Sequence, residues 1–208
     1  MQILTIPGVY ALYVVVPEFL KIITSQSPES SAIDTYISSI NPSLNFANSS
    51  NLIMGRDSIG VKYRILIKPT DLNLIPGTAQ LVTAEIRLKC NLANNNIYTV
   101  HEILDSWVEN TNWSGQPNYN STPIRILNIN GVVGSWYTID IYDLVKDWLV
   151  GKKTNNGILI KAQDENVVNN ISFYSSNYSN AGNRPIYYFE YILKKKRKSI
   201  LLEGGLTL

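Results

Sequence analysis

The chain has 208 residues, 45% hydrophobic and only 16% charged, enough for one well-buried domain of about 100 to 200 residues with short extensions. A formal net charge of +2 is too small to imply a nucleic-acid partner. No run approaches the roughly 20 uninterrupted apolar residues of a membrane span, and a single cysteine rules out an internal disulfide.

In chain order, residues 1–29 are apolar, broken by Pro7 and Pro17, and end in a polar linker at 25–29. They read as an N-terminal arm with strand-like runs. The stretch 9–16 makes a poor secretory leader, because no Lys or Arg precedes it. Residues 30–193 read as the main domain. Short strand patterns recur there at 33–37, 52–56, 63–69 and 80–90, separated by a loop at 41–51 and a turn around Pro76 and Gly77. Cys90 ends the longest of these runs and fits as a small apolar filler. Trp107 and Trp113 follow, close together beside a Gly/Pro turn. Asn130 and Gly131 mark a turn before a strand at 136–141.

One helix is expected near 143–150. Asp143 would cap it, Leu144, Val145, Trp148 and Leu149 would share a face by their spacing of three and four, and Gly151 would stand just past its end. Asn156 and Gly157 then turn the chain into 158–161, and alternating strands follow at 171–176 and 186–191. Residues 194–208, a basic cluster and then an apolar run, read as a C-terminal extension with strand potential. Many short strands with one short helix predict an all-β jelly-roll β-sandwich of two antiparallel sheets, with N- and C-terminal strand-like extensions.

Catalytic apparatus is hard to find. One histidine excludes a two-His zinc site, and Ser/His/Asp chemistry would have to centre on His101, which sits in a strand pattern. Glu102, Asp105 and Glu109 share one loop region, where nothing sets two of them across a sugar. No glycine loop cradles a phosphate. Asn and Asp are the ligands calcium prefers, but no spaced Asp loop of the EF-hand kind appears, so no cofactor is indicated. Sugar binding needs an exposed aromatic platform or a polar groove. The aromatics nearest predicted loops are Trp107, Trp113, Trp136 and Tyr119, of which Trp107, Trp113 and Tyr119 are the candidate glycan-binding residues.

The ordered set of motifs at 34–37, 45–56, 63–67, 74–78, 84–88, 107–113, 139–149, 155–160, 173–176 and 184–185 resembles the DNRLRE modules, which are related to the disaggregatase-type carbohydrate-binding modules. The resemblance covers about residues 32–193. It implies a jelly-roll sandwich of bacterial or archaeal extracellular proteins, with its tryptophans sealing the sandwich and Arg64 and Arg184 at recurring positions. Residues 136–191 are also similar to the arm domains of latency-associated propeptides.

Two functions follow as expectations. The first is a non-catalytic structural subunit of an extracellular, spore-surface or virion assembly. It would polymerise with copies of itself by strand addition through Ile3, Leu4, Ile6, Tyr10, Leu12, Val14, Val16, Ile200 and Leu202. The alternative is a carbohydrate-binding, adhesive module that recognises a polysaccharide.

Overall fold

The computed structural model describes residues 3–6, 9–12, 19–26, 32–193 and 200–202. Fourteen strands and one α-helix are present among them: β1 (Ile3–Ile6), β2 (Val9–Leu12), β3 (Phe19–Gln26), β4 (Ala32–Ser38), β5 (Asn51–Arg56), β6 (Lys62–Pro69), β7 (Ala79–Leu92), β8 (Asn95–Glu102), β9 (Arg125–Asn130), β10 (Trp136–Asp140), α1 (Tyr142–Leu149), β11 (Ile158–Ala162), β12 (Ile171–Tyr174), β13 (Ile186–Leu193) and β14 (Ile200–Leu202). Every pairing is antiparallel. This is the all-β sandwich expected, with a single short helix.

One layer runs β4-β6-β11-β8-β9 and the other β3-β13-β7-β10. The fourteen-residue β7 explains how they connect. Its first part pairs β13 on one edge and β10 on the other, and its last residues pair β12, which passes the hydrogen bonding through β5 to β6. Alternation turns Ile65 and Ile67, Tyr98 and Val100, and Ile158 and Ile160 inward from the first layer. They meet Ala84, Ile86, Leu88, Tyr187 and Phe189 of the second in one core. The register of β13 slips between Glu190, opposite Thr83, and Tyr191, opposite Leu81. Val82 is therefore an extra residue, a bulge that lets both Leu81 and Ala84 face the core and leaves Val82 exposed.

Helix α1 buries Leu144, Val145 and Trp148 in that core, as their spacing demands. The cap differs from expectation. Asp143 lies inside the first turn, and the carboxylate that takes an end N–H is Asp140, whose Oδ1 accepts from the Tyr142 amide at 2.8 Å. The reason is position: Asp140 ends β10 just ahead of the helix, whereas the Asp143 side chain turns out to Arg125, 3.3 Å away. Gly151 adopts φ +69° just past the helix, where the left-handed conformation favours glycine. At Gly157 (φ +77°) a Cβ would stand 2.3 Å from the Ile67 carbonyl oxygen, so the turn into β11 admits no side chain.

The terminal strands find partners within the chain. β3 pairs along its whole length with β13, and β1, β2 and β14 form a separate three-stranded sheet. Of the residues expected to join copies, Ile3, Leu4, Ile6, Tyr10, Leu12, Ile200 and Leu202 fall in those three strands, and Val14 and Val16 lie outside the described residues.

Candidate carbohydrate-binding face

The two layers present very different outer faces. On the first, the chain between β8 and β9 folds back over the sheet and makes a second apolar cluster of Ile37, Leu66, Ile103, Trp107 and Leu159, with Trp113 and Tyr119 packed against it. The structure thus gathers Trp107, Trp113 and Tyr119 in one place, but their rings are engaged. Trp107 is only 6% exposed, and its Nε1–H donates to the Asn156 carbonyl at 2.7 Å. The Arg64 guanidinium lies 4.7 Å from the centre of the Trp113 ring and 5.9 Å from that of Tyr119.

Arg64 is itself held by a two-pronged ion pair with Glu165, both bonds 2.7 Å, and by Gln116 at 2.8 Å. Both partners are largely buried, and the Arg64 bonds and charge hold the Glu165 carboxyl below its ordinary value against the opposing effect of burial. His101 is buried beside this cluster. Its Nδ1–H donates to the Asn120 carbonyl at 2.8 Å and its Nε2 accepts from the Thr99 hydroxyl at 2.9 Å, so both ring nitrogens are occupied and burial lowers its pKa. Arg184 anchors the loop before β13, its Nε donating to the Tyr178 carbonyl at 2.7 Å.

The outer face of β10, β7 and β13 carries exposed aromatic and charged groups. Residues facing out on these strands stand in register: Trp136 opposite Lys89, Thr138 opposite Arg87, Asp140 opposite Glu85, then Tyr188 opposite Glu85 and Glu190 opposite Thr83. At about 4.8 Å between strands and 3.4 Å per residue, the rows cover roughly 10 by 14 Å. Of the four tryptophans, Trp136 is the one whose side chain is open, at 37% exposed. Lys89 Nζ stands 5.6 Å from its ring centre and donates to Asn183 Oδ1 at 2.8 Å. The Arg87 guanidinium lies 4.3 Å over the Tyr188 ring and pairs with Glu85 at 2.7 Å. The Tyr188 hydroxyl donates to Glu190, which also accepts from Thr83 at 3.0 Å. That bond to Glu190 raises the Tyr188 pKa and keeps the phenol protonated.

Such a face can do two things with a sugar chain. An open indole ring receives the apolar C–H face of a pyranose, and the fixed donors and acceptors around it meet the hydroxyls. The cross-strand contacts hold Arg87, Tyr188 and Glu190 in place, so less rotamer entropy is lost on binding. Sequence reading missed Lys89, Arg87 and Tyr188. Their signal was the alternation of 83, 85, 87 and 89, which marks an outward row but says nothing of what covers it. Among the described residues no group of three or more His, Cys, Asp and Glu side chains is placed to hold a metal ion, and no helix is long and apolar enough to cross a membrane.

The β-sandwich with its single short helix is the fold of a carbohydrate-binding-module-like domain. The family follows directly: the model of carbohydrate-binding module family 96 matches residues 25–188, most of the chain, and the chain belongs to that family. No curated protein matches it. Of the resemblances read from the motifs, the match supports the carbohydrate-binding kinship, and the DNRLRE name remains a likeness of motifs. The match also reverses the order of the two expected functions, putting the polysaccharide reading ahead of the self-assembling subunit. Carbohydrate-binding modules are in general non-catalytic.

Proposed function

We propose that this chain is a non-catalytic module that binds a polysaccharide on the outer face of β10, β7 and β13. The observation that carries the reading is Trp136, an open indole ring in a row with Lys89, beside Arg87 over Tyr188. The family supports the ligand class. Such a module works where polysaccharide is presented, outside the cell, on a cell or spore surface or a virion.

Affinity electrophoresis through gels containing neutral and acidic polysaccharides tests it. Trp136→Ala should weaken retardation by tenfold or more, about 1.4 kcal/mol, and Lys89→Ala should weaken it less. Trp113→Ala should leave retardation unchanged in whatever fraction stays folded. Wild-type protein that no polysaccharide retards would refute the function, and equal retardation of Trp136→Ala would refute the face.

A structural subunit linked to its copies by strand exchange is the second reading. What supports it is that β1 and β2 share one small sheet with β14, from the opposite part of the chain, where a neighbour's strand could replace the chain's own. Light scattering across a concentration series tests that exchange. A mass fixed at one chain would dismiss it.

A further inference from the structure

Away from the Trp136 end of the face, where β10 runs into α1, a cleft of about 270 Å³ opens between the start of β9, the end of β10 and the helix. Buried Ile141 and Leu144, with half-buried Ile124, make an apolar floor. Two donor–acceptor pairs stand above it. On one side Arg125 Nη2 lies 2.7 Å from Asp140 Oδ2 and 3.3 Å from Asp143 Oδ2. On the other, Lys153 Nζ lies 2.9 Å from Glu102 Oε2 and 3.8 Å from Asp147 Oδ2.

We infer that this cleft is a second, separate subsite that takes one uncharged sugar unit. The inference rests on the reading of the chain as a polysaccharide-binding module. Three features of the cleft argue for it. A pyranose has an apolar face and a rim of hydroxyls, each a donor and an acceptor at once, and the cleft matches both with its apolar floor and mixed walls. A cation and a carboxylate 2.7 Å apart meet two adjacent hydroxyls, one accepting from the guanidinium and the other donating to the carboxylate. These groups are already bound to one another and are positioned before the sugar arrives.

Charge selects the kind of sugar. Three lining carboxylates, Asp140, Asp143 and Asp147, outnumber the two cations, Arg125 and Lys153, and Glu102 stands behind Lys153. A sugar acid would add a like charge, whereas a neutral ring adds none. Asp140 ends the row that begins at Trp136, four residues or about 14 Å along β10. A glycan lying on the face can thus place one unit in the cleft.

The test is backbone amide shift mapping by NMR with the methyl glycosides of glucose, galactose, mannose and xylose, and with methyl glucuronide. At least one neutral glycoside should saturably shift the amides of Ile124, Arg125, Leu144 and Lys153. Methyl glucuronide should bind at least tenfold more weakly. Asp147→Asn and, independently, Arg125→Lys should weaken the neutral glycoside severalfold, and Trp136→Ala should leave its binding unchanged while it weakens polysaccharide retardation. Silence of the cleft amides to all four neutral glycosides overturns the inference, and so does methyl glucuronide binding as tightly as the best of them. Wild-type protein that polysaccharide retards but whose cleft is silent loses only this subsite, whereas absent retardation strikes at the function itself.

Discussion

Replacing Asp34 with asparagine should abolish a specific loss of stability between mildly acidic and neutral pH. Asp34 stands on β4 with 1% of its surface exposed, and its carboxylate accepts from the Ser176 amide at 3.0 Å and from the Ser176 hydroxyl at 2.9 Å. Burial pushes its pKa from the ordinary 3.8 up to about 6, the Ser176 bonds opposing the shift and Glu109 adding to it. The folded state therefore holds this proton more tightly than the unfolded chain does. Its stabilising effect is full below pH 3.8, falls as the pH rises between 3.8 and 6, and is gone above 6. A shift of about two pH units corresponds to about 3 kcal/mol.

Urea unfolding of the wild type and of Asp34→Asn, each at pH 4.5 and pH 7.5, measures the effect as a difference of differences. His101 and Glu165, whose pKa values are lowered and whose contributions run the other way with pH, cancel between the two proteins. The variant should gain on the wild type by about 2 kcal/mol between pH 4.5 and 7.5, the part of the shift that falls inside that window, because an amide keeps an acceptor for the Ser176 amide and cannot ionise. An identical pH dependence in the two proteins would refute the argument that Asp34 is buried with its pKa raised.

Further outcomes follow from the packing. Glu165→Gln leaves the largely buried Arg64 without its counter-charge and should destabilise the fold by about 3 kcal/mol, read by chemical unfolding. Because Glu165 has a lowered pKa, its contribution is present above its unfolded value and is lost as the pH falls, so the deficit of this variant should shrink in acid. Gly157→Ala, at φ +77° and against the Ile67 carbonyl, should cost more than about 1 kcal/mol in the same assay. Removing residues 1–26 strips β3 from β13 and opens a hydrogen-bonding edge eight residues long, so light scattering should show more self-association, whereas polymerisation through the arm requires less.

The arrangement of strands and the helix were readable because each rests on local periodicity. The alternation at 63–67, 84–90 and 186–191, and the three-and-four spacing of Leu144, Val145 and Trp148, write the inward faces into the chain. Asp34 shows where that code fails. Neighbours at 33–37 alternate as expected, but the loop between β8 and β9 covers the outer face of β4 and the core covers its inner face, so both parities are buried and a charge is carried inside.

The sequence by itself determined an all-β sandwich, one amphipathic helix near 143–150, the turns at Gly157 and Gly151, and a set of tryptophans beside predicted loops. Which tryptophan faces solvent was decided only by the tertiary structure. Trp107 and Trp136 read alike in one dimension, yet one seals a second cluster under a folded-back loop and the other stands open on a sheet face beside Lys89. The physical reason is that exposure belongs to what packs above a residue. Cross-strand register and the path of a long loop settle that, and both join residues far apart in the chain.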